Sequence, residues 1–240
     1  MIFVENLLSI LKKNKIFFYT GVPDSVLKKL SNYLVTLDKS KHIIAANEGS
    51  AVSIGIGHYL ATKKIPCVYL QNSGLGNAVN PLISIAHKKI YSVPLLLMIG
   101  WRGSFNKKDE PQHMIKGKIT PKLLKLLNIK YCILRKKNDL FKLNKLIKNS
   151  YRTKSTVACL VERDVLKTKR KYKKITENKN TILRKDFIFK LLKQIPVNAK
   201  IISTTGYTSR ELMQIRKEKK LFKGKDFYMV GGMGHSLMVT

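Results

Sequence analysis

The hydrophobic and polar positions of the chain follow two alternating patterns, one helical and one typical of strands. Residues 3–14 carry apolar side chains three and four positions apart, which predicts an amphipathic helix. The same spacing returns in a helix that Asp24 caps and that continues to about Leu37. Short apolar runs predict strands at 16–19, 42–45, 66–70, 93–99, 131–134 and 157–161.

Further helices are predicted between these strands. One begins near Glu48, and the others cover 76–87, 121–127 and 139–149, with a loop over 101–118. Strands that alternate with helices predict an α/β fold with a doubly wound, mostly parallel sheet. Residues 1–165 hold about six strands, enough for a complete domain of this kind.

The composition changes after residue 165. Residues 166–180 are rich in lysine and poor in apolar residues, which predicts a basic linker. The alternating pattern then restarts in 181–240, with helices near 185–192 and 209–217 and strands at 201–204 and 227–230. About sixty residues are too few for an independent open α/β domain. We therefore expect 181–240 to be the first part of a second α/β domain, completed by a longer chain or by another subunit.

The chain is strongly basic, with 47 Lys and Arg against 14 Asp and Glu and a formal net charge of +33. Such a charge is compatible with nucleic-acid binding, in which phosphate contacts dominate affinity. Only eight of the 47 are arginines, however, and arginine is the residue that base readers favour. We therefore do not expect nucleic acid as a partner. A lysine-biased genome, or an anionic ligand or acidic partner, explains the charge better.

The cysteines and the hydropathy pattern bear on location. Cys67, Cys132 and Cys159 have no paired spacing, which fits a reducing compartment and gives no metal-site pattern. The chain has no run of eighteen apolar residues, so no membrane span is predicted. The first residues look like an amphipathic helix rather than a signal peptide. We expect a cytoplasmic protein without a membrane partner.

Polar, glycine-rich loops follow four of the predicted strands. They read TGVPDS (20–25), ANEGSA (46–51), QNSGLGN (71–77), and IGWRG (99–103) followed by DEPQH (109–113). Ordinary turn chemistry explains any one of them. Because ligands bind beyond the carboxyl ends of parallel strands, four in succession favour a shared site. A dinucleotide fingerprint is excluded, since Val79 stands where the third glycine should be, and a P-loop is absent.

Glu48 is the most informative single residue of these loops. A carboxylate at a helix N-terminus often does no more than interact with the helix dipole. The helix that it begins, however, is made of small and apolar residues, which suits a close subunit interface. An acid in such a place needs a partner that offsets its desolvation.

The run AANEGSAVSIGIGHYLATKKIPCVYLQNSGLGNAVNPLISI, with GVPDS before it and DEPQH after it, resembles a known family. It is similar to the N-terminal pyrimidine-binding domain of thiamine-diphosphate-dependent 2-oxoacid decarboxylases, in the branch of phosphonopyruvate and sulfopyruvate decarboxylases. The segments ISTTGYTSREL and FYMVGGMGHS resemble the start of that family's diphosphate-binding domain.

The resemblance implies roles for residues of the first domain. Glu48 would hydrogen-bond a pyrimidine ring nitrogen of thiamine diphosphate and move its proton. His113, beside Gln112, would donate or accept a proton, for which imidazole is suited near neutral pH. The catalytic residues implied are Asp24, Glu48, Gln112 and His113, and Gln71 and Asn72 would contact cofactor or substrate.

In the second segment, the resemblance implies a diphosphate site at a helix N-terminus. Gly206, Tyr207 and Thr208 would offer donors to the diphosphate. Met233 would hold the cofactor bent, the Gly231 carbonyl would accept a bond from its amine, and His235 would line the pocket. The family's Mg²⁺ motif, GDG followed by Asn, does not occur in this sequence. We expect Mg²⁺ to be bound beyond residue 240, and no metal ligand is assigned here.

The resemblance also implies the reaction and the partners. It implies decarboxylation of 3-phosphonopyruvate to phosphonoacetaldehyde and CO₂. The alternatives are sulfopyruvate decarboxylation and a non-catalytic truncated or regulatory subunit. A small anionic 2-oxoacid with a second anion needs a cation, and Arg102 is the best candidate because it directly follows a strand. Family active sites form between subunits, so we expect a homo-oligomer or a complementary diphosphate-domain subunit.

Overall fold

The structure is a computed structural model that describes residues 1–105, 107–169, 172, 182–221, 226–231 and 236–239. The chain divides into two compact units, Met1–Lys173 and Lys174–Thr240. No helix among the described residues is long and apolar enough to cross a lipid bilayer.

The first unit contains eight strands among its described residues. They are β1 (Ile2–Phe3), β2 (Tyr19–Gly21), β3 (His42–Ile44), β4 (Cys67–Gln71), β5 (Leu96–Trp101), β6 (Lys130–Leu134), β7 (Val157–Glu162) and β8 (Leu166–Lys167). Strands β2 to β7 form one sheet in the order β3-β2-β4-β5-β7-β6, and every pair in it is parallel. Strands β1 and β8 form a separate parallel pair. The predicted parallel α/β sheet is confirmed.

Helices cover both faces of the large sheet. They are α1 (Val4–Lys13), α2 (Lys28–Leu34), α3 (Glu48–Thr62), the short α4 (Val79–Pro81), α5 (Pro111–Leu126) and α6 (Asp139–Thr153). Alternate residues of each strand point to opposite faces and so build two separate cores. The core on one face joins the sheet to α1, α2 and α6, and the core on the other joins it to α3, α5 and the helical turns of 72–86.

Helix α5 begins at Pro111, ten residues before the predicted start, so the prediction of a loop up to residue 118 is wrong. Pro121 is a typical first residue of a helix but here lies inside one. A proline has no N–H to bond the carbonyl four residues before it, that of Gly117. That carbonyl oxygen instead accepts a hydrogen bond of 3.0 Å from Trp101 Nε1. A side chain from β5 therefore compensates for the proline.

The start of the predicted basic linker also differs from the structure. Leu166 and Lys167 form β8, which pairs with Ile2 and Phe3 of β1, so residues at the predicted linker start belong to the first unit. Most of the predicted linker lies outside the described residues.

The second unit contains α7 (Arg184–Gln194), β9 (Ile202–Ser203), α8 (Tyr207–Glu218), β10 (Phe227–Tyr228) and a 3₁₀ turn over Ser236–Val239. Strands β9 and β10 are parallel neighbours. A small core joins the two helices through Ile188, Leu192, Leu212 and Ile215. The predicted order of helices and strands in this segment is the order observed.

Candidate active site

The four polar loops of the first unit lie at one edge of the sheet. They follow β2, β3, β4 and β5, which are adjacent in the order β3-β2-β4-β5 and run in the same direction. Side-chain contacts connect these loops to one another. The structure therefore brings the predicted residues Asp24, Glu48, Gln71, Asn72, Arg102, Gln112 and His113 to a common edge.

Glu48 is the first residue of α3, and its side chain is half-buried. Asn47 caps the helix by accepting a bond from the Ser50 amide at 2.9 Å. The Glu48 Oε2 atom accepts a hydrogen bond of 2.9 Å from Asn77 Nδ2. A Cβ atom at Gly74 would overlap Glu48 Oε1, so the carboxylate occupies space that only a glycine leaves open. The loop after β4 thus holds the carboxylate that follows β3.

Asp24 is buried and bonded to the neighbouring loop. Its Oδ1 accepts a 2.6 Å bond from Gln71 Nε2, and its Oδ2 accepts a 3.0 Å bond from the Leu27 amide. A Cβ at Gly100 would overlap Oδ2, so a second glycine makes room for a second carboxyl group. Burial raises the pKa of Asp24, and the bonds from Gln71 and Leu27 oppose it only in part. This side chain holds a proton more readily than an exposed aspartate does.

Asn72 is 5% exposed, and its polar atoms are engaged within the protein. Its Oδ1 accepts a bond from the Arg102 amide, and its Nδ2 donates to the Arg102 carbonyl and to Thr120 Oγ1, each at 3.0 Å. These bonds tie the end of β4 to the end of β5 and to α5. The structure gives Asn72 a bracing role, which leaves Gln71 as the better candidate for contact with a ligand.

Arg102 is paired with Asp109 rather than free. Its Nε donates to Asp109 Oδ2 at 2.7 Å, and its Nη2 donates to Oδ1. The bonds to Asp109 raise the pKa of the guanidinium, and the pKa of the Asp109 carboxyl lies well below its usual range. Because Asp109 offsets its charge, Arg102 alone is a poor site for a substrate anion.

A cavity of about 730 Å³ lies beside Arg102 at the same edge of the sheet. Its basic lining residues are Lys28, Lys29, Arg102, Lys108 and Arg163, and its acidic ones are Asp109, Glu110 and Asp164. The three lysines make no ion pair with any described residue. They are additional candidates for contact with an anion.

His113 and Gln112 lie in the first turn of α5, not in a loop as predicted. The Nδ1 atom of His113 is buried and makes no hydrogen bond with the described residues. Burial, and next the Arg102 charge, lower the pKa of the imidazole, so His113 is neutral near pH 7. A neutral imidazole with a free nitrogen can donate or accept a proton. Gln112 Nε2 donates to Glu110 Oε2 at 2.8 Å.

The predicted diphosphate-binding residues lie in the second unit. Gly206 precedes α8 with a φ of 88°, a conformation that favours glycine, and a Cβ there would meet open space. Tyr207 is exposed, and the guanidinium carbons of Arg184 and Arg210 each lie 5.8 Å from its ring centre. Thr208 and Gly231 are half-buried. The two other predicted residues, Met233 and His235, lie outside the described residues.

Four residues of the site were not singled out from the sequence. They are Gly74, Asn77, Gly100 and Asp109. Three of them stand in QNSGLGN or DEPQH, so the strings contained the signal, but the individual roles depend on contacts between loops. Gly100 stands in IGWRG, at the end of an apolar strand.

The fold and this edge define a doubly wound domain with a ligand site at the carboxyl ends of its strands. The family model "Thiamine pyrophosphate enzyme, N-terminal TPP binding domain" matches residues 1–124, and the chain belongs to this family.

Curated relatives are similar to this chain over different lengths. The phosphonopyruvate decarboxylase of Streptomyces viridochromogenes is 28% identical over 235 residues, covering 91% of this chain and 57% of that protein. The sulfopyruvate decarboxylase subunit alpha of Methanococcus maripaludis is 34% identical over 128 residues, covering 53% of this chain and 74% of that protein. The chain thus spans little more than half the length of the phosphonopyruvate decarboxylase that it matches.

Solved structures give a more distant likeness. The thiamine diphosphate-dependent 4-hydroxybenzoylformate decarboxylase of Rhodococcus jostii is 16% identical with a TM-score of 0.48, covering 82% of this chain and 38% of that one. The benzoylformate decarboxylase of Polynucleobacter necessarius is also 16% identical, with a TM-score of 0.49, covering 82% of this chain and 37% of that one.

Proposed function

We propose that this chain provides the pyrimidine-binding part of a thiamine-diphosphate-dependent decarboxylase that converts 3-phosphonopyruvate to phosphonoacetaldehyde and CO₂, a step of phosphonate biosynthesis. One observation carries the choice of substrate. Similarity to the phosphonopyruvate decarboxylase extends over 91% of the chain and so into the second unit, whereas similarity to the M. maripaludis subunit covers 53%.

The sheet edge fits the pyrimidine end of the cofactor. A half-buried carboxylate at Glu48 can hydrogen-bond a ring nitrogen, and Gly74 leaves the space that its Oε1 occupies. His113 Nδ1 is buried and has no hydrogen-bond partner among the described residues. The chemistry that thiamine diphosphate supplies when bound is a carbon nucleophile and an electron sink for decarboxylation. The chain's own residues would bind it, orient it and move protons.

Glu48 would hold and return the proton of the pyrimidine ring nitrogen. Asn77 donates to Oε2 and so fixes the carboxylate through one oxygen, which leaves Oε1 for the ring. His113 would take up a proton at its free ring nitrogen and, as the imidazolium, give it to the substrate carbon, which returns the ring to its neutral form. Asp24, whose raised pKa lets it keep a proton, would hydrogen-bond the substrate, with Gln71 orienting its carboxyl group. Gln112 would assist His113.

The diphosphate would bind in the second unit, and Mg²⁺ would bind to residues other than those described. The described residues contain no group of three or more His, Cys, Asp or Glu side chains arranged for a metal ion. Since these residues do not fit Mg²⁺, we expect other residues of the enzyme to bind it. Gly206, Tyr207 and Thr208 would bind the diphosphate through N–H and O–H donors. A homo-oligomer or a complementary subunit would complete the site, in a cytoplasmic enzyme with free cysteines.

The second anion of the substrate would bind at the cavity beside Arg102. Arg102 lines this cavity, but its pairing with Asp109 means that Lys28, Lys29 and Lys108, which form no ion pair among the described residues, would be necessary partners. A tetrahedral anion, phosphonate or sulfonate, can bind to several such donors at once.

Two alternatives are tested together with this proposal. Sulfopyruvate decarboxylation is favoured by the higher identity, 34%, to the M. maripaludis subunit. A non-catalytic binding or regulatory subunit is favoured by the missing metal group among the described residues.

The test measures the release of CO₂ from 3-phosphonopyruvate and from sulfopyruvate. Each is incubated with the chain alone and with the chain plus a complementary diphosphate-domain subunit. We expect faster turnover of 3-phosphonopyruvate, and we expect Glu48→Gln to abolish it while thermal unfolding is unchanged. Faster turnover of sulfopyruvate would favour the first alternative. Failure to bind thiamine diphosphate even with the second subunit present would favour the other. Full activity of Glu48→Gln would contradict the role of Glu48.

A further inference from the structure

Asp109 is the acidic residue of the DEPQH string, and its side chain is only 4% exposed. It accepts four hydrogen bonds. Two come from Arg102, and the others come from the amides of Gly103 at 3.0 Å and Glu110 at 2.9 Å. A carboxylate that accepts several charged and backbone donors is strongly fixed in place. Asp109 therefore joins the end of β5 to the start of α5.

The backbone of Arg102 is held independently of its side chain. Asn72 accepts a bond from its amide and donates one to its carbonyl, each at 3.0 Å. The guanidinium therefore extends from a fixed point to Asp109. The ion pair therefore fixes Asp109, which lies just before α5, relative to the end of β5.

Helix α5 packs directly on the backbone that follows β5. Gly103 has a φ of 67°, and a Cβ there would overlap the His113 carbonyl oxygen. A Cβ at Gly117 would overlap the Gly103 carbonyl oxygen. With no side chain between the two backbones, a small shift at Gly103 moves the turn that carries His113.

The same residues set the charges around the imidazole. After burial, Arg102 is the largest influence that lowers the pKa of His113, and Lys116 acts in the same direction. Asp109 and Glu110 oppose them. Asp109 thus both fixes the Arg102 guanidinium in place and opposes its effect on the pKa of His113.

We propose that Asp109 is a positioning residue for His113. Through its bonds to Arg102 and to the start of α5, it fixes the place of the imidazole and offsets the charge of Arg102 near it. The inference rests on the proposed function, because it assigns Asp109 to the reaction in which His113 takes part. It requires no contact between Asp109 and the substrate.

The test is an NMR titration of the His113 imidazole in the full 240-residue chain, wild type and Asp109→Asn. An asparagine keeps one acceptor oxygen but presents an N–H group in place of the other and has no negative charge, so the Arg102 cation loses its counter-charge. We expect the pKa of His113 to fall by about one unit. Arg102→Gln removes the cation, and we expect it to raise the pKa of His113. Shifts of opposite sign cannot come from general loosening, which would expose the ring in both variants.

Two further variants sharpen the result. Asp164 is an exposed acid that lines the same cavity, so Asp164→Asn removes the same charge and should leave the His113 titration unchanged. Asp109→Glu keeps the carboxylate and should restore most of the wild-type pKa. The inference is wrong if folded Asp109→Asn leaves the pKa of His113 unchanged, or if it and Arg102→Gln shift it in the same direction.

Activity gives an independent measurement on the complete enzyme. We expect Asp109→Asn to lower kcat by about a hundredfold, since a misplaced catalytic group slows the reaction. A change in KM beside it would report on the proposed anion site, where the variant no longer offsets the charge of Arg102. A change in KM alone would contradict positioning. If no form of the protein decarboxylates an oxoacid, the proposed function fails while the titration still decides the role of Asp109.

Discussion

Gln71 donates a 2.6 Å hydrogen bond from Nε2 to Asp24 Oδ1 and so joins the ends of two adjacent parallel strands. The bond from Asn77 to Glu48 joins the loops that follow β4 and β3, two strands that are separated by β2. Each pair couples an amide donor to a carboxyl group. Both carboxyl groups lie against a glycine, Gly100 for Asp24 and Gly74 for Glu48. The edge of the sheet is thus organised around two carboxyl groups whose surroundings differ, which leads to separate predictions.

Gly74→Ala should impair catalysis more than stability. The new methyl group would overlap the Glu48 carboxylate, the end of a flexible side chain that can turn away at little cost. We expect a loss of at least tenfold in kcat, because a displaced carboxylate could not take the role proposed for Glu48 beside the cofactor. Gly76→Ala is the matched control, since a Cβ there meets nothing within 4 Å. Equal kcat values for the two variants would contradict the assignment of Glu48.

Asp24→Asn should change how stability depends on pH. The pKa of Asp24 is higher in the folded protein than in the unfolded chain, so wild type loses stability as the pH rises through these two values. The variant does not titrate there. We expect the stability of the variant relative to wild type to increase as the pH rises. The total increase is about 1.4 kcal/mol for each pH unit by which the folded pKa of Asp24 exceeds the unfolded pKa, and the difference should level off below about pH 4. Urea unfolding between pH 4 and 8 measures this.

Asp139→Asn provides the opposite control. Burial raises the pKa of Asp139, but bonds from the Arg135 and Lys136 amides and from Lys142 outweigh it and leave the pKa lowered. Wild type should gain from this carboxylate at neutral pH and lose the gain as the pH falls through the folded pKa. The Asn variant should therefore be less stable at pH 7 and approach wild type in acid. Parallel pH slopes for the two Asn variants would refute both assignments.

Two alanine substitutions in helices should have opposite effects on stability. At Gly117 in α5 the new methyl group would overlap the backbone of Gly103, which cannot move aside cheaply. We expect Gly117→Ala to cost about 1–3 kcal/mol. Gly57 in α3 has open space around its Cβ position, so Gly57→Ala should gain about 0.5–1 kcal/mol from helix propensity. Chemical denaturation of both variants decides, and a stabilising Gly117→Ala would show that α5 is not packed as described.

The second unit contains a buried ion pair whose removal should be costly. Arg216 donates to Asp226 through Nε at 2.9 Å and Nη2 at 3.0 Å, and both side chains are nearly inaccessible. Asp226→Ala leaves a buried cation unpaired, and we expect a loss of about 3–5 kcal/mol. Glu211→Ala breaks the more exposed pair with Arg184 and should cost less than about 1 kcal/mol. Limited proteolysis of the whole chain, followed by the rate of cleavage within residues 182–221, compares the two variants. Equal cleavage rates would count against the prediction.

The sequence predicted the sheet better than it predicted the helices around the site. Apolar runs such as that of β5 are buried on both faces, so their composition alone identifies them. Helix α5 was placed ten residues late, because Pro121 looks like a helix start until its missing N–H is seen to be compensated by Trp101. That compensation comes from a different strand and leaves no local pattern.

The candidate site was predictable as a set of loops but not as a set of contacts. Glu48 stood out because a carboxylate begins a helix of small residues. The position of Arg102 directly after a strand makes it a candidate for contact with an anion, but Asp109, seven residues away, binds its guanidinium. Likewise, Asn72 looks like a ligand contact in the sequence, and only its three internal bonds show a bracing role. Pairing of polar side chains depends on distances that spacing in the sequence does not give.

The pairing of β1 with β8 affects how the first unit is made during synthesis. Ile2 and Phe3 leave the ribosome long before their partners, Leu166 and Lys167, which are among the last residues of the unit to be added. Local helices such as α1 can form early. The pairing of β1 with β8 is slower, because it brings together residues that are far apart in the chain, and it cannot begin until β8 has been synthesised. Until β8 has been synthesised, β1 has an unpaired edge, which can associate with other nascent chains. The two-stranded pair therefore acts as a closing step, and the yield of folded protein should depend on how quickly translation reaches it.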